Sequence, residues 1–302
     1  MAKRKIVDAH QHLWKLSAGY NYPWLQDQQT GEGMLGSLAP IIRDYLPADY
    51  RADAADYDLV GTVHVEAVPH DAVAETRWLD AIPASDKVAQ VVVAHAKLND
   101  PGVEKVIAAH AAFPKVRGIR QIVNWHANPK LTFTGHDLLA DEVWLRNFRL
   151  LRKYGLAFDL QLYASQMGEA ADLARANPDT LLIVNHTGMP LTGDPDSVAQ
   201  WHAGMKRMAA EPNIAVKLSG LGMVDHRWNA ATIRPYILAA IGYFGVDRAM
   251  FGSNFPVDRL YSSFATLYRA FEEIVAGFSP AEQSALFHDN ALRLYRFQIA
   301  AP

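Results

Sequence analysis

The stretch Lys5-Ile6-Val7-Asp8-Ala9-His10-Gln11-His12 decides how the rest of the chain is interpreted. Apolar and polar residues alternate along it, which predicts a β-strand. Successive side chains of a strand point to opposite faces, so we expect Asp8, His10 and His12 on one face and Val7 and Ala9 on the other. In a closed parallel barrel, Val7 and Ala9 would pack under an outer helix. The two imidazoles would then lie at the carboxyl end of the strand, where such barrels carry their chemistry.

Seven more strand-like segments alternate with helix-like segments along the chain. The predicted strands are 59–66, 88–95, 116–122, 157–162, 180–186, 214–219 and 248–253. The predicted helices are 72–82, 101–113, 141–154, 165–176, 196–210, 232–244, 261–276 and 280–296. This alternation predicts an α/β fold, a (β/α)8 TIM barrel formed by residues 1–302 as a single domain. A doubly wound open sheet is the alternative, but no glycine-rich phosphate motif follows any of these strands.

Residues 13–44 form a long segment after the first strand, with no clear periodicity. An irregular connection of this length is typical of a functional loop, so we expect it to cover the active site. Its aromatic residues include Trp14, Tyr22 and Trp24. They either wall a pocket, with Trp24 touching the substrate, or form a small core under the loop.

The composition excludes several classes of protein. The chain has 302 residues, 50% of them hydrophobic, a net charge of -3 and no cysteine. Scattered positive charges indicate neither nucleic acid nor an anionic membrane as a partner, and thiolate metal sites and disulfides are excluded. No run approaches the ~18 apolar residues of a membrane span. We therefore expect a soluble cytoplasmic protein with a small-molecule substrate, and the sequence leaves a homo-oligomer open.

Polar side chains cluster at the carboxyl ends of the predicted strands, and in a barrel these ends meet at one mouth. They are His10, His12, Glu66, His95, Arg120, Gln121, Asp159, Gln161, His186, Lys217, Ser219, Ser253 and Asn254.

His10, His12 and His186 are the candidate histidine set. Together they could polarise a carbonyl group, or they could hold a metal ion, since zinc commonly takes three protein ligands and keeps one open position. The alternative for His186, taken alone, is that it merely caps a helix.

Two cations have alternative roles. Arg120 can grip a carboxylate of the substrate with its planar fork, or it can form an ion pair with Glu66 or Asp159 inside the barrel. Lys217 can polarise a carbonyl or balance the charge of Asp8.

Three carboxylates are candidates for the general base: Glu66, Asp159 and Asp258. A partly dry mouth would raise the pKa of such a group, whereas neighbouring cations would lower it. Asp258 could instead be the N-cap of the final helices.

An ordered set of short motifs resembles those of the amidohydrolase superfamily. The motifs are Asp8-Ala9-His10-Gln11-His12-Leu13-Trp14, Gly118-Ile119-Arg120, Asn185-His186-Thr187-Gly188, Lys217-Leu218-Ser219-Gly220-Leu221, Phe251-Gly252-Ser253-Asn254-Phe255-Pro256 and Asn290-Ala291-Leu292-Arg293-Leu294-Tyr295. The chain is most similar to the amidohydrolase-related (amidohydrolase 2) branch that contains sugar lactonases and 2-pyrone-4,6-dicarboxylate lactonase.

This resemblance implies a distorted TIM barrel with hydrolytic chemistry at the strand ends. It matches His10, His12 and His186 to the histidines of the superfamily, and Arg120 to the arginine that holds the substrate in the lactonase branch. It also implies one divalent ion, such as zinc, in some members and metal-independent activity in at least one.

The sequence departs from the family pattern at two positions. Asn254 stands where an aspartate usually acts as base or metal ligand, and an asparagine cannot take a proton from water. Gln121 stands where lactonase relatives often carry a histidine. Both changes predict weak metal binding and a base supplied by another residue, such as Asp258, Glu66 or one of the histidines.

The sequence therefore predicts a hydrolase that opens the lactone of a sugar acid or of an aromatic catabolite. Arg120, Gln121, Gln161, Lys217, Asn254 and Trp24 are the expected substrate contacts. The alternatives are a metal-dependent decarboxylase or amide hydrolase of the same superfamily, and a catalytically silent barrel that only binds its ligand.

Overall fold

The computed structural model describes residues 3–27 and 33–297, and eight parallel strands form its centre. The strands are β1 Lys5–Gln11, β2 Asp58–Val65, β3 Val91–His95, β4 Val116–Arg120, β5 Ala157–Leu160, β6 Leu182–Val184, β7 Ile214–Leu218 and β8 Ala249–Phe251. Each pairs with the next one in the chain. The barrel predicted from the alternating pattern is confirmed.

Twelve α-helices of the described residues surround or connect the strands. They are α1 Pro23–Gln26, α2 Pro47–Asp53, α3 Ala72–Asp80, α4 Val103–Ala111, α5 Glu142–Phe148, α6 Leu150–Tyr154, α7 Met167–Ala176, α8 Pro195–Ala209, α9 Ala230–Phe244, α10 Phe264–Ile274, α11 Pro280–Ser284 and α12 Asn290–Leu294. The predicted helix 141–154 is divided at Arg149, and a π-helical segment, Ala285–Asp289, separates α11 from α12. Within the described chain, no helix is long and apolar enough to cross a membrane.

The seam between β1 and β8 closes the barrel just beyond the end of β8. The backbone N–H of Asn254 donates to the carbonyl of His10 at 2.7 Å, and that of His12 donates to the carbonyl of Phe255 at 2.8 Å. Gly252 is needed here because a Cβ at this position would lie 2.8 Å from Cβ of His10. The close approach places His10, His12 and Asn254 side by side at the mouth.

The predicted orientation of β1 is wrong for Asp8. Its carboxylate points outward, where it accepts hydrogen bonds from the Tyr50 hydroxyl of α2 at 2.6 Å and from the Ser253 backbone N–H at 2.8 Å. The pairing of β1 with β2 explains this, because three steps from Asp8 to Gln11 match only two steps from Thr62 to His64. One extra residue in a strand breaks the strict alternation of faces.

Val7 and Ala9 are consequently inside the barrel and not under an outer helix. They belong to a buried apolar cluster with strand residues from around the barrel, such as Val63, Ile183 and Met250. Tyr295 of the C-terminal region joins the same cluster and is fully buried. The barrel is thus filled by a packed core below the histidines.

The segment after β1 reaches across the mouth. Nε2 of the His226 ring donates to the Met34 carbonyl at 2.9 Å, and the Tyr261 hydroxyl donates to the Leu35 carbonyl at 3.0 Å. His226 follows β7 and Tyr261 follows β8, so both belong to loops at the carboxyl ends of strands. Residues 28–32 of the predicted covering loop 13–44 lie outside the described residues.

Candidate active site

Three histidine rings from two distant parts of the chain meet at the mouth. The ring centroid of His10 lies 5.0 Å from that of His12 and 4.4 Å from that of His186. All three side chains are at most 4% exposed. The structure therefore brings together the three histidines that the sequence singled out.

An unusual backbone carries His186 into this cluster. Four consecutive residues, His186 to Met189, have positive φ values between 46° and 69°. Gly220, with φ +65°, faces the His186 ring so closely that a Cβ there would collide with it. Asn254 also has a positive φ of 57°. Left-handed backbone in non-glycine residues stores strain, and such strain concentrates at functional sites.

The three imidazoles are neutral near pH 7. Burial lowers the pKa of His12 to about 4, and Nδ1 of its ring donates to the Val65 carbonyl at 2.7 Å. Burial, then the charge of Lys217, holds the pKa of His10 well below its usual range. Burial, then the charge of Arg120, does the same for His186. Neutral rings can donate or accept hydrogen bonds without adding charge to the cavity.

Asp258 is bonded to Asn254, and Asn254 lies beside the His12 ring. Nδ2 of Asn254 donates to Oδ1 of Asp258 at 3.1 Å, and Oδ1 of Asn254 lies 3.2 Å from Nε2 of His12. Oδ2 of Asp258 is buried and has no hydrogen-bond partner among residues 3–27 and 33–297. Burial raises the pKa of Asp258 to about 7. Asp258 is not the N-cap of the next α-helix, because Ser263 caps α10.

Glu66 is held by an ion pair with Arg120. Nε of Arg120 donates to Oε1 of Glu66 at 2.6 Å, and His95 Nδ1 lies 3.3 Å from Oε2. Burial alone would raise the pKa of Glu66, but the Arg120 guanidinium and His95 outweigh it and hold the pKa well below its ordinary value. Glu66 is thus a stable carboxylate with both oxygens engaged, a poor environment for accepting a proton from water.

Lys217 pairs with Asp159 rather than with Asp8. The two side chains are fully buried and in direct contact through Nζ and Oδ1. Nζ also lies 3.4 Å from Nδ1 of His10. Asp159, one of the candidate bases, is therefore committed to Lys217 below the histidine cluster.

The remaining predicted substrate contacts lie at different distances from this centre. Oε1 of Gln161 accepts a hydrogen bond from Nη1 of Arg120 at 3.2 Å, which places Gln161 beside the cluster. Gln121 points away, and its amide bonds to the backbone N–H of Leu98, to Asn99 and to the Trp144 indole. The reason is strand alternation, because Arg120 occupies the inward position next to it.

Trp24 lines an open hollow of about 550 Å³. The hollow is also lined by His95, Val68 and Pro69. The Trp24 indole donates to the Ala67 carbonyl at 2.6 Å, which fixes the ring at the rim. Trp14 and Tyr22 from the same segment are fully buried core residues instead.

The arrangement does not fit a metal ion held by His10, His12 and His186. In the described part of the chain, no three His, Asp or Glu side chains are placed to hold one. A metal-ligating histidine usually donates its second ring N–H to an acceptor, whereas Nδ1 of His10 faces the Lys217 ammonium. The position nearest His12 carries the neutral Asn254 instead of an anionic ligand.

Two residues of the site were not assigned a role from the sequence. The Ser219 hydroxyl lies 3.2 Å from Nδ1 of His186, and the Tyr295 hydroxyl donates to the carboxylate of Asp159 at 2.9 Å. Ser219 stands at a strand end, which is a usable signal. Tyr295 comes from the C-terminal region, and its helical spacing resembles that of any core tyrosine.

Comparisons with known proteins agree with the barrel and with its motifs. A family model described as Amidohydrolase matches residues 7–297. The uncharacterized protein y4mH of Sinorhizobium fredii is 42% identical over 98% of this chain and 100% of its own length. The L-fucono-1,5-lactonase of Burkholderia ambifaria is 29% identical over 96% of this chain and 95% of its own. A crystal structure of a Burkholderia multivorans amidohydrolase with bound zinc has a TM-score of 0.81 and 25% identity, covering 97% of this chain and 99% of that one.

Proposed function

The chain belongs to the amidohydrolase family, and we propose that it is a lactonase that opens the cyclic ester of a sugar acid. Similarity to an L-fucono-1,5-lactonase over nearly the whole length of both chains supports this substrate class. A lactone also suits a site that lacks the usual aspartate at position 254. Its ester carbon is more electrophilic than that of an amide, so the reaction demands less from the base.

The observation that carries the proposal is the environment of Asp258. Its carboxyl group is buried, its pKa is raised to about 7, and Oδ2 has no partner in the described part of the chain. A general base works best when its pKa lies near the working pH. Asp258 is therefore proposed to take a proton from the attacking water and to return it to the ring oxygen that leaves.

The histidines and Arg120 are proposed to bind the substrate. The neutral rings of His10 and His186 would stabilise the oxyanion that forms when water adds to the carbonyl carbon, whereas the ring N–H of His12 is used by the Val65 carbonyl. Arg120 uses three of its five N–H groups on Glu66 and Gln161. The other two remain available, within the described residues, for ring hydroxyls or a carboxylate. Breaking the bond between the carbonyl carbon and the ring oxygen then releases the open-chain acid.

The proposed reaction does not require the divalent ion that the resemblance implied. A related amidohydrolase structure contains zinc, and such an ion would act as a Lewis acid where it is bound. The proposed proton transfers use only side chains of this chain.

The test is an assay of product release on a panel of cyclic esters and open-chain controls, following protons from the esters and ammonia from the amide. The panel contains five- and six-membered lactones of sugar acids, an aromatic-catabolite lactone, and an open-chain ester and amide of the same acids. We expect turnover above the spontaneous rate on sugar-acid lactones, loss of turnover in His10→Ala, and normal turnover in His136→Ala, a surface control. Binding without turnover, or a preference for the amide, would contradict the proposal.

A further inference from the structure

A fully buried polar cluster lies under the histidines and comes from β5, β7, the residue that follows β6, and the C-terminal region. At its centre, the Asp159 carboxylate of β5 accepts hydrogen bonds from Nδ2 of Asn185 and from the Tyr295 hydroxyl, each at 2.9 Å. It also contacts the Lys217 ammonium of β7. Asp159 and Lys217 are both fully buried. We call Asp159, Lys217, Asn185 and Tyr295 the Asp159 cluster.

The Asp159 cluster contacts the reaction site through Lys217. Nζ of Lys217 lies 3.4 Å from Nδ1 of His10. Burial lowers the pKa of Lys217, but Asp159 opposes this shift and leaves the value at about 8, so Lys217 is mostly an ammonium at pH 7. An ammonium has three donors and no acceptor. Its neighbour on His10 must therefore be a nitrogen with a lone pair.

This contact fixes the tautomer of His10. In a neutral imidazole one nitrogen carries the hydrogen and the other accepts. If Nδ1 accepts from Lys217, the hydrogen of His10 is on Nε2. Nε2 is buried and has no hydrogen-bond partner within the described ranges. The result is a buried N–H donor whose neighbours are the His12 and His186 rings.

We propose that Lys217 is a positioning residue that holds His10 as its Nε2–H tautomer, so that His10 donates to the carbonyl oxygen of the substrate. This inference rests on the proposed lactonase function for its last step only. It assigns Lys217 a role through His10 in place of a direct substrate contact. It also leaves His10 unable to act as the base, because its accepting nitrogen is turned toward Lys217.

The cluster geometry suits this role better than a purely structural ion pair would. An ion pair alone needs only Asp159 and Lys217, and a third partner for the ammonium would more often be a carbonyl oxygen. Tyr295 and Asn185 satisfy the carboxylate from other sides, which holds Asp159 in place under Lys217. A preorganised donor of this kind costs no reorganisation when charge develops on the substrate oxygen.

The direct test is the ¹⁵N NMR spectrum of protein labelled with ¹⁵N-histidine, with the His10 signals identified by their loss in His10→Gln. At pH 7 we expect a protonated Nε2 and an unprotonated Nδ1. In Lys217→Met, which keeps the length but removes the donors, we expect the hydrogen to appear at Nδ1 in part of the molecules. An Nδ1–H tautomer or an imidazolium in the unaltered protein would overturn the proposal, even if the variant does not fold.

Kinetics and a matched variant separate positioning from packing. Losing one preorganised donor to an oxyanion typically lowers kcat by about 10²–10³-fold. We expect a decrease of that order or smaller in Lys217→Met with little change in KM, and partial recovery in Lys217→Arg. Tyr295→Phe removes a hydroxyl from the same cluster but keeps the ammonium, so we expect a lower Tm with the His10 tautomer unchanged.

The two proposals fail in different ways. If no lactone is opened but His10 carries its hydrogen on Nε2, the positioning role stands and the assigned reaction is wrong. If lactones are opened but the tautomer of His10 is the same in Lys217→Met as in the unaltered protein, the positioning role is wrong.

Discussion

The amide of Asn254 donates to the carboxylate of Asp258 at 3.1 Å, and both side chains are almost fully buried. Asn254 is neutral, and the acid of this site, Asp258, lies four residues further along the chain. The same amide also reaches the His12 ring at 3.2 Å. The asparagine therefore lies between a carboxylate and the histidine cluster without adding a second negative charge.

Asn254→Asp should lower activity near pH 7. The new carboxylate at position 254 would lie within hydrogen-bonding distance of the Asp258 carboxylate. Two like charges in one buried site raise the pKa of one of the two groups. Asp258 would then hold its proton at neutral pH. We expect kcat/KM at pH 7 to fall by about tenfold or more and to recover partly at alkaline pH, as measured in a pH series. An increase at pH 7 would contradict this prediction, because it would show that the unaltered protein lacks a general base and that the new carboxylate supplies one.

Asp258→Asn should remove the general base while keeping the shape of the side chain. General base catalysis is typically worth about 10²–10⁴-fold, so kcat should fall by that factor. The matched control is Asp53→Asn, since Asp53 pairs with Arg259 next to Asp258 but lies outside the cavity. Steady-state kinetics of both variants, with Tm as a folding check, decide the point. Nearly normal turnover in Asp258→Asn would exclude Asp258 as the base.

Glu66→Gln should mainly affect stability and substrate binding. The change leaves Arg120 as an uncompensated buried charge, which typically costs about 3–5 kcal/mol of unfolding free energy. Asp53→Asn breaks a more exposed pair and should cost only about 0.2–1 kcal/mol. KM should rise because Arg120 loses its orientation. Denaturant unfolding and kinetics measure both effects, and a stable variant without turnover would instead identify Glu66 as the base.

Removal of metal should leave turnover nearly unchanged. The donor set around His10 lacks an anionic ligand, and the second ring nitrogen of His10 faces a lysine. We expect dialysis against a strong chelator to change kcat/KM by less than about twofold, with metal content measured on the same samples. Loss of activity that added zinc restores would contradict this account.

The sequence predicted the barrel and the meeting of distant histidines because both follow from general rules. Alternating strands and helices specify a parallel barrel, and strand ends in a barrel converge on one mouth. That reasoning placed His10, His12, His186 and Arg120 correctly without any knowledge of contacts. The motifs that resemble those of the amidohydrolase superfamily run in the same order along the chain.

The predictions that failed depend on local irregularity or on long-range pairing. The extra residue in β1 turns Asp8 outward, and no pattern in the sequence indicates this irregularity. The partner of Lys217 depends on how three strands align, so the sequence allowed Asp8 where the structure has Asp159. Gln121 carries the polar type expected of a substrate contact, yet strand alternation next to Arg120 turns it away from the site.

The most direct test of the central claim is the pH dependence of kcat/KM on a sugar-acid lactone. The active form of Asp258 is the carboxylate, so activity should rise with pH and level off above an apparent pKa near 7. This rise of kcat/KM with pH should be absent from the residual activity of Asp258→Asn. A kcat/KM that is constant from about pH 5 to pH 8 would contradict the assignment of Asp258 as the base. The same rise with pH in Asp258→Asn would contradict it too.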